Sequence, residues 1–230
     1  MNFLLKSIKY FRAIIVRSLK QRETYFSRLS IRPLSTKYGF DRGLPVDRYY
    51  IEEFLRTHQN DVRGRTLEIV DTTYSKIFGR GKTTVNDALD IFLTQKANIH
   101  GDLRDLHGVI ADETYDCIIV TQTFNVIDDY QSAIKECHRI LKKGGVLLAT
   151  LPTLSPTWNL KINMWRFTAP SAKLIFSRFF PVNQIETFSL GNRRAALSFW
   201  VGMAVEDMKD FEFSEKAAVV PLIVGVRAVK

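Results

Sequence analysis

Asp116-Cys117-Ile118-Ile119-Val120-Thr121 is an apolar run of strand length, entered through an acidic residue. Asp128-Asp129 then stands ahead of a helical pattern. Ala133, Ile134, Cys137, Ile140 and Leu141 recur at three- and four-residue steps, while Lys135, Glu136, Arg139 and Lys142 fall elsewhere on the wheel. Lys142-Lys143 put positive charge where the helix dipole favours it, and Gly144-Gly145 supply residues able to adopt positive φ and end the helix. A second apolar run, Val146-Leu147-Leu148-Ala149-Thr150-Leu151, stops at Pro152. Strand, helix, Gly-Gly and strand in that order predict a βαβ unit with both strands buried.

Working outward, 230 residues suit one α/β domain with an appendage, and 46% hydrophobic residues with 12% aromatics suffice for a sizeable core. Cys117 in a predicted strand and Cys137 on a predicted helix face read as buried thiols of a reducing, cytoplasmic compartment. No Cys/His spacing resembles a metal site, so neither zinc nor a disulfide framework is expected. Charge is uneven. Residues 1–40 carry nine Lys/Arg against Glu23 alone, a net +8, and the other residues balance 24 basic against 23 acidic side chains. The basicity therefore belongs to the N-terminal segment, which argues against a nucleic-acid-binding face on the domain.

In residues 1–20, Leu4, Ile8, Phe11, Ile15 and Leu19 share one helical face, with Lys6, Lys9, Arg17 and Lys20 opposite. This pattern predicts an amphipathic helix suited to an anionic membrane surface, and so a peripheral protein. A helix packed on its own domain or a dimer partner, and an organelle transit peptide, remain open. Residues 21–46 read as a connector, which divides the chain into 1–46 and 47–230.

The motifs also carry a resemblance. Tyr115-Asp116-Cys117-Ile118-Ile119 with His138-Arg139-Ile140-Leu141-Lys142-Lys143-Gly144-Gly145 resembles the second half of a class I S-adenosylmethionine-dependent methyltransferase. Trp165-Arg166-Phe167-Thr168 is similar to an element that follows strand 5 in small methyltransferases of polysaccharide biosynthesis. The resemblance implies a doubly wound, Rossmann-like α/β sheet with an antiparallel last strand. It implies S-adenosylmethionine as cofactor and methyl transfer to a small-molecule or glycan acceptor.

It also allots roles. In the family a Glu/Asp-x-Gly-x-Gly turn follows strand 1, because the backbone must closely approach the cofactor. Here the stretch is Glu68-Ile69-Val70-Asp71-Thr72, with Val70 and Thr72 at the glycine positions, and a β-branched residue resists positive φ. Asp90 is the candidate carboxylate for the ribose hydroxyls at the end of strand 2 (predicted over 87–92), although a shifted register would put Phe92 there. Only four residues then precede the next extended segment, too few for a crossover helix. Asp102 in Gly101-Asp102-Leu103 either reaches the adenine amino group or caps a turn. Arg48 and Tyr49 either touch the cofactor or belong to a helix start capped by Asp47. Gln122, Thr123 and Asn125 follow strand 4 at the carboxyl edge, where such folds bind ligands. The implied cofactor set is thus Glu68, Val70, Asp71, Asp90, Asp102, Leu103, Gln122 and Thr123. Arg166 is expected to meet an anion or a sugar hydroxyl. No residue stands out as a catalytic base. A non-catalytic relative that keeps the sheet as a scaffold or membrane-docking module is the competing reading, supported by Val70 and Thr72.

Overall fold

Residues 32–157, 162–209, 213 and 220–230 are described by a computed structural model of the chain. The chain falls into two units, Met1–Leu34 and Ser35–Lys230. The amphipathic helix expected over residues 1–20, and Trp158, lie outside the described residues. No helix among the described residues is long and apolar enough to cross a membrane.

The second unit begins at Ser35, ahead of the expected boundary at residue 47. Ser35 is buried and Pro45 bridges to Ala204, so residues 35–46 are part of the domain and not a connector. Helix α1 (Val46–Thr57) starts after Pro45, with Asp47 in its first turn and not at its cap. Val46, Ile51, Phe54 and Leu55 form its buried stripe. Strand β1 (Gly64–Ile69), helix α2 (Thr73–Phe78) and strand β2 (Thr83–Asp90) follow. Strand β3 is only Ile99–His100, and no helix separates it from β2. Next come β4 (Tyr115–Thr121), α3 (Tyr130–Ile140), β5 (Leu141–Pro152), α4 (Ala169–Phe176), β6 (Ile185–Leu190), α5 (Arg193–Trp200) and β7 (Ile223–Val229).

The seven strands lie in the order β3-β2-β1-β4-β5-β7-β6. β1 to β5 run parallel, and β7 is antiparallel to both β5 and β6. Alternation along β4 shows why both faces are covered. Ile118 and Val120 join one apolar core with Ile134 and Phe176, while Cys117 and Ile119 join the other with Ile51, Phe54 and Phe199.

In α3 the expected stripe of Ala133, Ile134, Cys137 and Ile140 is buried, and Asp129 caps the helix by accepting the Ser132 N–H. Two details differ from the sequence reading. Glu136, expected on the polar face, is buried: its carboxylate accepts the Leu106 N–H at 2.9 Å and the Arg139 guanidinium at 2.7 Å. The helix also stops at Ile140, before Lys142-Lys143, and Leu141 is already extended. Lys142 instead pairs with Asp116 at 2.8 Å. Gly144, at φ +74°, sits inside the long β5.

Candidate functional site

β1 ends beside β2 on one side and β4 on the other, where the strand order reverses direction, so a crevice at the carboxyl edge is expected there. Val70 is the first residue past β1 and holds φ +76°, a region that a β-branched residue rarely enters. The valine has not forced the backbone into ordinary β geometry. Its N–H donates to the Leu89 carbonyl at 2.9 Å, which fixes the turn, and its side chain is 47% exposed at this edge. Thr72, at φ −107°, is the residue before α2 and takes no left-handed conformation.

The Glu68 side chain is spent on the fold. It is buried and accepts the backbone N–H groups of Tyr74 at 3.0 Å and Ser75 at 2.8 Å, which joins β1 to the start of α2. Burial pushes its pKa up to about 7, against the pull of those N–H groups. Asp71 accepts the Thr73 N–H at 2.9 Å. Its pKa lies below the ordinary value because burial, which raises it, is outweighed by the Thr73 hydrogen bond and nearby cations.

Asp90 closes β2, which settles the register: Phe92 lies beyond the strand and is 72% exposed. The buried Asp90 carboxylate accepts from the Phe92 N–H at 3.0 Å and the Thr94 hydroxyl at 3.2 Å. Asp102 follows β3, and Arg104 clasps its carboxylate while also pairing with Asp128 at 2.7 Å. That hydrogen bond, with burial opposing it, holds Asp102 below the usual carboxylate range. The Leu103 side chain packs in the core, which leaves its backbone as what it can offer a ligand.

Past β4, Gln122 holds φ +50° and its N–H donates to the Thr150 carbonyl at 2.9 Å. Its buried amide nitrogen has no partner, and neither do the buried oxygens Asn125 Oδ1, Thr150 Oγ1 and Thr153 Oγ1. All four follow or end β4 and β5 at the carboxyl edge. Buried polar groups are seldom left unpaired, so this group marks a place built to meet a ligand or ordered water. Thr123 instead spends its hydroxyl on the Thr121 carbonyl, at 3.0 Å.

Each residue of Trp165-Arg166-Phe167-Thr168 has a separate task. Thr168 caps α4 through a reciprocal pair with Ser171, and Phe167 enters the core. Trp165 Nε1 donates to the Ile127 carbonyl at 2.9 Å. Arg166 Nη1 donates to Asn163 Oδ1 at 2.6 Å and the Trp165 carbonyl at 2.8 Å, and its Nη2 donates to the Ser155 carbonyl at 3.0 Å. Asn163 Oδ1 also accepts from Asn125 Nδ2 at 3.1 Å, and the Tyr38 hydroxyl is hydrogen-bonded to the same side chain. Tyr38, held at φ +58°, carries no signal that sequence reading could have used. Arg48, by contrast, turns to the Tyr74 hydroxyl at 3.4 Å, and the Tyr49 ring packs at a tilt against Phe213.

Residues 80–149 match a family described as a methyltransferase domain, a span that starts beyond the β1 turn. Demethylmenaquinone methyltransferase of Alkalihalophilus pseudofirmus is 32% identical over 81 residues, which are 35% of this chain and 33% of that protein. The chain thus spans about a third of the length of the curated relatives it matches. A methyltransferase structure from Archaeoglobus fulgidus, described as SAM dependent, superposes with a TM-score of 0.55 at 12% identity, covering 80% of this chain and 94% of the other. An S-adenosylmethionine-dependent methyltransferase from Mesorhizobium loti gives 0.55 at 14% identity, over 80% and 100%. With its β3-β2-β1-β4-β5-β7-β6 sheet, the chain has the fold of class I S-adenosylmethionine-dependent methyltransferases and carries a methyltransferase-domain match over residues 80–149.

Proposed function

We propose that the chain binds S-adenosylmethionine at the carboxyl edge of β1, β2 and β4 and transfers its methyl group to a small-molecule or glycan acceptor. One observation carries this reading: the left-handed turn at Val70 ends β1 beside a buried carboxylate, Asp90, that ends β2. These are the backbone path and the acid that the donor requires at a fold of this type. The unpaired amide of Gln122 supplies a further polar group on the β4 side. The residues fit the donor with one departure, the Val70 side chain at the point of closest approach.

The bound donor supplies an electrophilic methyl group. The protein's part is to hold donor and acceptor in line and exclude water. Asp90 suits the ribose hydroxyls, since an ionised carboxylate accepts two hydrogen bonds at once. Glu68 acts indirectly, by fixing the turn that carries Val70 and Asp71. A polysaccharide-biosynthesis acceptor is favoured by the Trp165-Arg166-Phe167-Thr168 element. The curated relatives act, by name, on demethylmenaquinone, and their matched third includes none of their remaining length.

Calorimetric titration with S-adenosylmethionine and S-adenosylhomocysteine tests the proposal. Saturable binding of both is expected, weakened about tenfold in Asp90→Asn, which loses the charge that strengthens the ribose bonds. The valine at the glycine position favours a second reading, a non-catalytic scaffold on the same sheet. Absence of binding in a folded protein would establish that reading in place of the first.

A further inference from the structure

Arg166 is a partly buried cation at the carboxyl edge, and among the described residues no carboxylate pairs with it. Arg48 and Arg178 likewise bond neutral oxygens, of the Tyr74 hydroxyl and of Gln131, whereas other arginines are ion-paired. Arg42, Arg65, Arg104, Arg139 and Arg227 each meet an acidic side chain. Arg166 is satisfied by neutral oxygens alone, those of Asn163, Trp165 and Ser155. Among the described residues, three bonds leave two of its five N–H groups over: the Nε–H and one hydrogen of Nη2. Nε with Nη2 is the edge through which Arg42 takes Asp207 and Arg227 takes Asp61, both in two-pronged contacts. A guanidinium that keeps its Nε–H and one Nη2 hydrogen for a further acceptor suits a bidentate oxyanion on that edge.

The surroundings point the same way. Asn163, which holds Nη1, also binds Asn125, whose own buried Oδ1 lacks a partner. The Tyr38 hydroxyl adjoins Arg166 and Asn163, held there by a backbone at φ +58°. Strained backbone and unsatisfied polar atoms gathered round a cation with no carboxylate partner among the described residues mark a prepared site more readily than a structural brace. We infer that Arg166, supported by Asn163 and Tyr38, binds an oxyanion, a carboxylate or phosphate carried by the methyl acceptor. The acceptor is therefore an acidic molecule, such as an acidic or phosphorylated sugar. This assignment of substrate class rests on the methyl-transfer reading, but the anion site itself can be tested apart from it.

The full chain is titrated with sodium phosphate, and separately with sodium acetate, at constant ionic strength held by chloride. The 15N–1H resonance of Arg166 Nε is followed, assigned in the wild-type chain through its scalar couplings to the Arg166 side chain. A saturable shift of that resonance with either anion, absent from the Nε resonances of Arg104 and Arg227, is the expected result. Which anion saturates first separates phosphate from carboxylate. Affinity measured at neighbouring amides should fall about tenfold in Arg166→Lys, which keeps the charge but loses the fork. No shift, or an equal non-saturating drift of all arginine resonances, overturns the site, and the wild-type resonance decides this even if the variant folds poorly. S-adenosylhomocysteine is titrated in parallel. Its binding without an anion response would overturn only the present inference, and an anion response without nucleoside binding would keep the anion site but overturn the donor reading and the acceptor class that rests on it.

Discussion

The Glu68 carboxylate accepts the backbone N–H of Ser75 at 2.8 Å from a buried position, tying the end of β1 to the first turn of α2. Burial raises its pKa to about 7, above the ordinary 4.5, so the folded state binds a proton more tightly than the unfolded chain does. Between those two values stability must fall as pH rises, and level off above them. The penalty is absent below about pH 4.5 and complete above about pH 7, amounting to as much as about 3 kcal/mol. Urea denaturation across pH 4.5–7.5 should show this decline, and Glu68→Gln should flatten it. An unchanged slope in the variant would mean that another group titrates.

Val70 should behave as a strained residue. Holding a side-chain-bearing residue at φ +76° costs about 1–2 kcal/mol, which a glycine avoids. Val70→Gly is therefore expected to raise the melting temperature by about 2–4 °C, after allowing for the freer unfolded chain. It should also tighten S-adenosylhomocysteine binding if the side chain crowds the donor. A lower melting temperature would show that Val70 packing outweighs the backbone strain.

Gln122→Ala removes a buried amide nitrogen that has no partner in the protein. Stability should stay level or rise slightly, because an unpaired buried donor contributes nothing to the fold. Affinity for the nucleoside should drop, as read by calorimetry. A marked loss of stability with unchanged binding would make Gln122 structural. Asp102→Ala is a less clean test, since it frees Arg104 as well.

Asp87 accepts from Arg65 Nε at 2.9 Å, Asn98 Nδ2 at 2.7 Å and the Tyr115 hydroxyl at 3.1 Å, joining β1, β2, β4 and the segment before β3. Asp87→Ala leaves these donors without their acceptor and should cost about 2–3 kcal/mol in urea denaturation. Breaking the exposed Glu53–Arg56 pair by Arg56→Ala should cost under about 0.5 kcal/mol. Equal losses in the two variants would remove the distinction between buried network and surface pair.

The charge of residues 1–40 supports a proposal for the N-terminal unit, that residues 1–20 lie on an anionic lipid surface. Each basic residue near such a surface adds about 1 kcal/mol to apolar burial. Full-length protein should sediment with anionic vesicles, a chain beginning at Ser35 should not, and raised salt should weaken the association. Equal sedimentation of the two would remove the proposal.

The sequence alone determined the strand–helix–strand core. Apolar runs at 116–121 and 146–151 and the stripe on α3 are set by local periodicity, and each is buried as its spacing requires. It also marked Asp90, the missing crossover helix before β3, and the unusual valine at position 70. The tertiary structure decided what those residues touch. Nothing in Glu68-Ile69-Val70 says that Glu68 would hold the next helix, or that Val70 would keep a left-handed turn, because both follow from contacts with Ser75 and Leu89. Glu136 reads as surface on a helical wheel and is buried because Arg139 and the Leu106 N–H neutralise it there. Arg166 was legible as a candidate anion contact, but its grouping with Tyr38 and Asn163 was not, for the same reason. Tyr38 lies far along the chain from Asn163 and Arg166, and only the closing of the fold brings its hydroxyl to them.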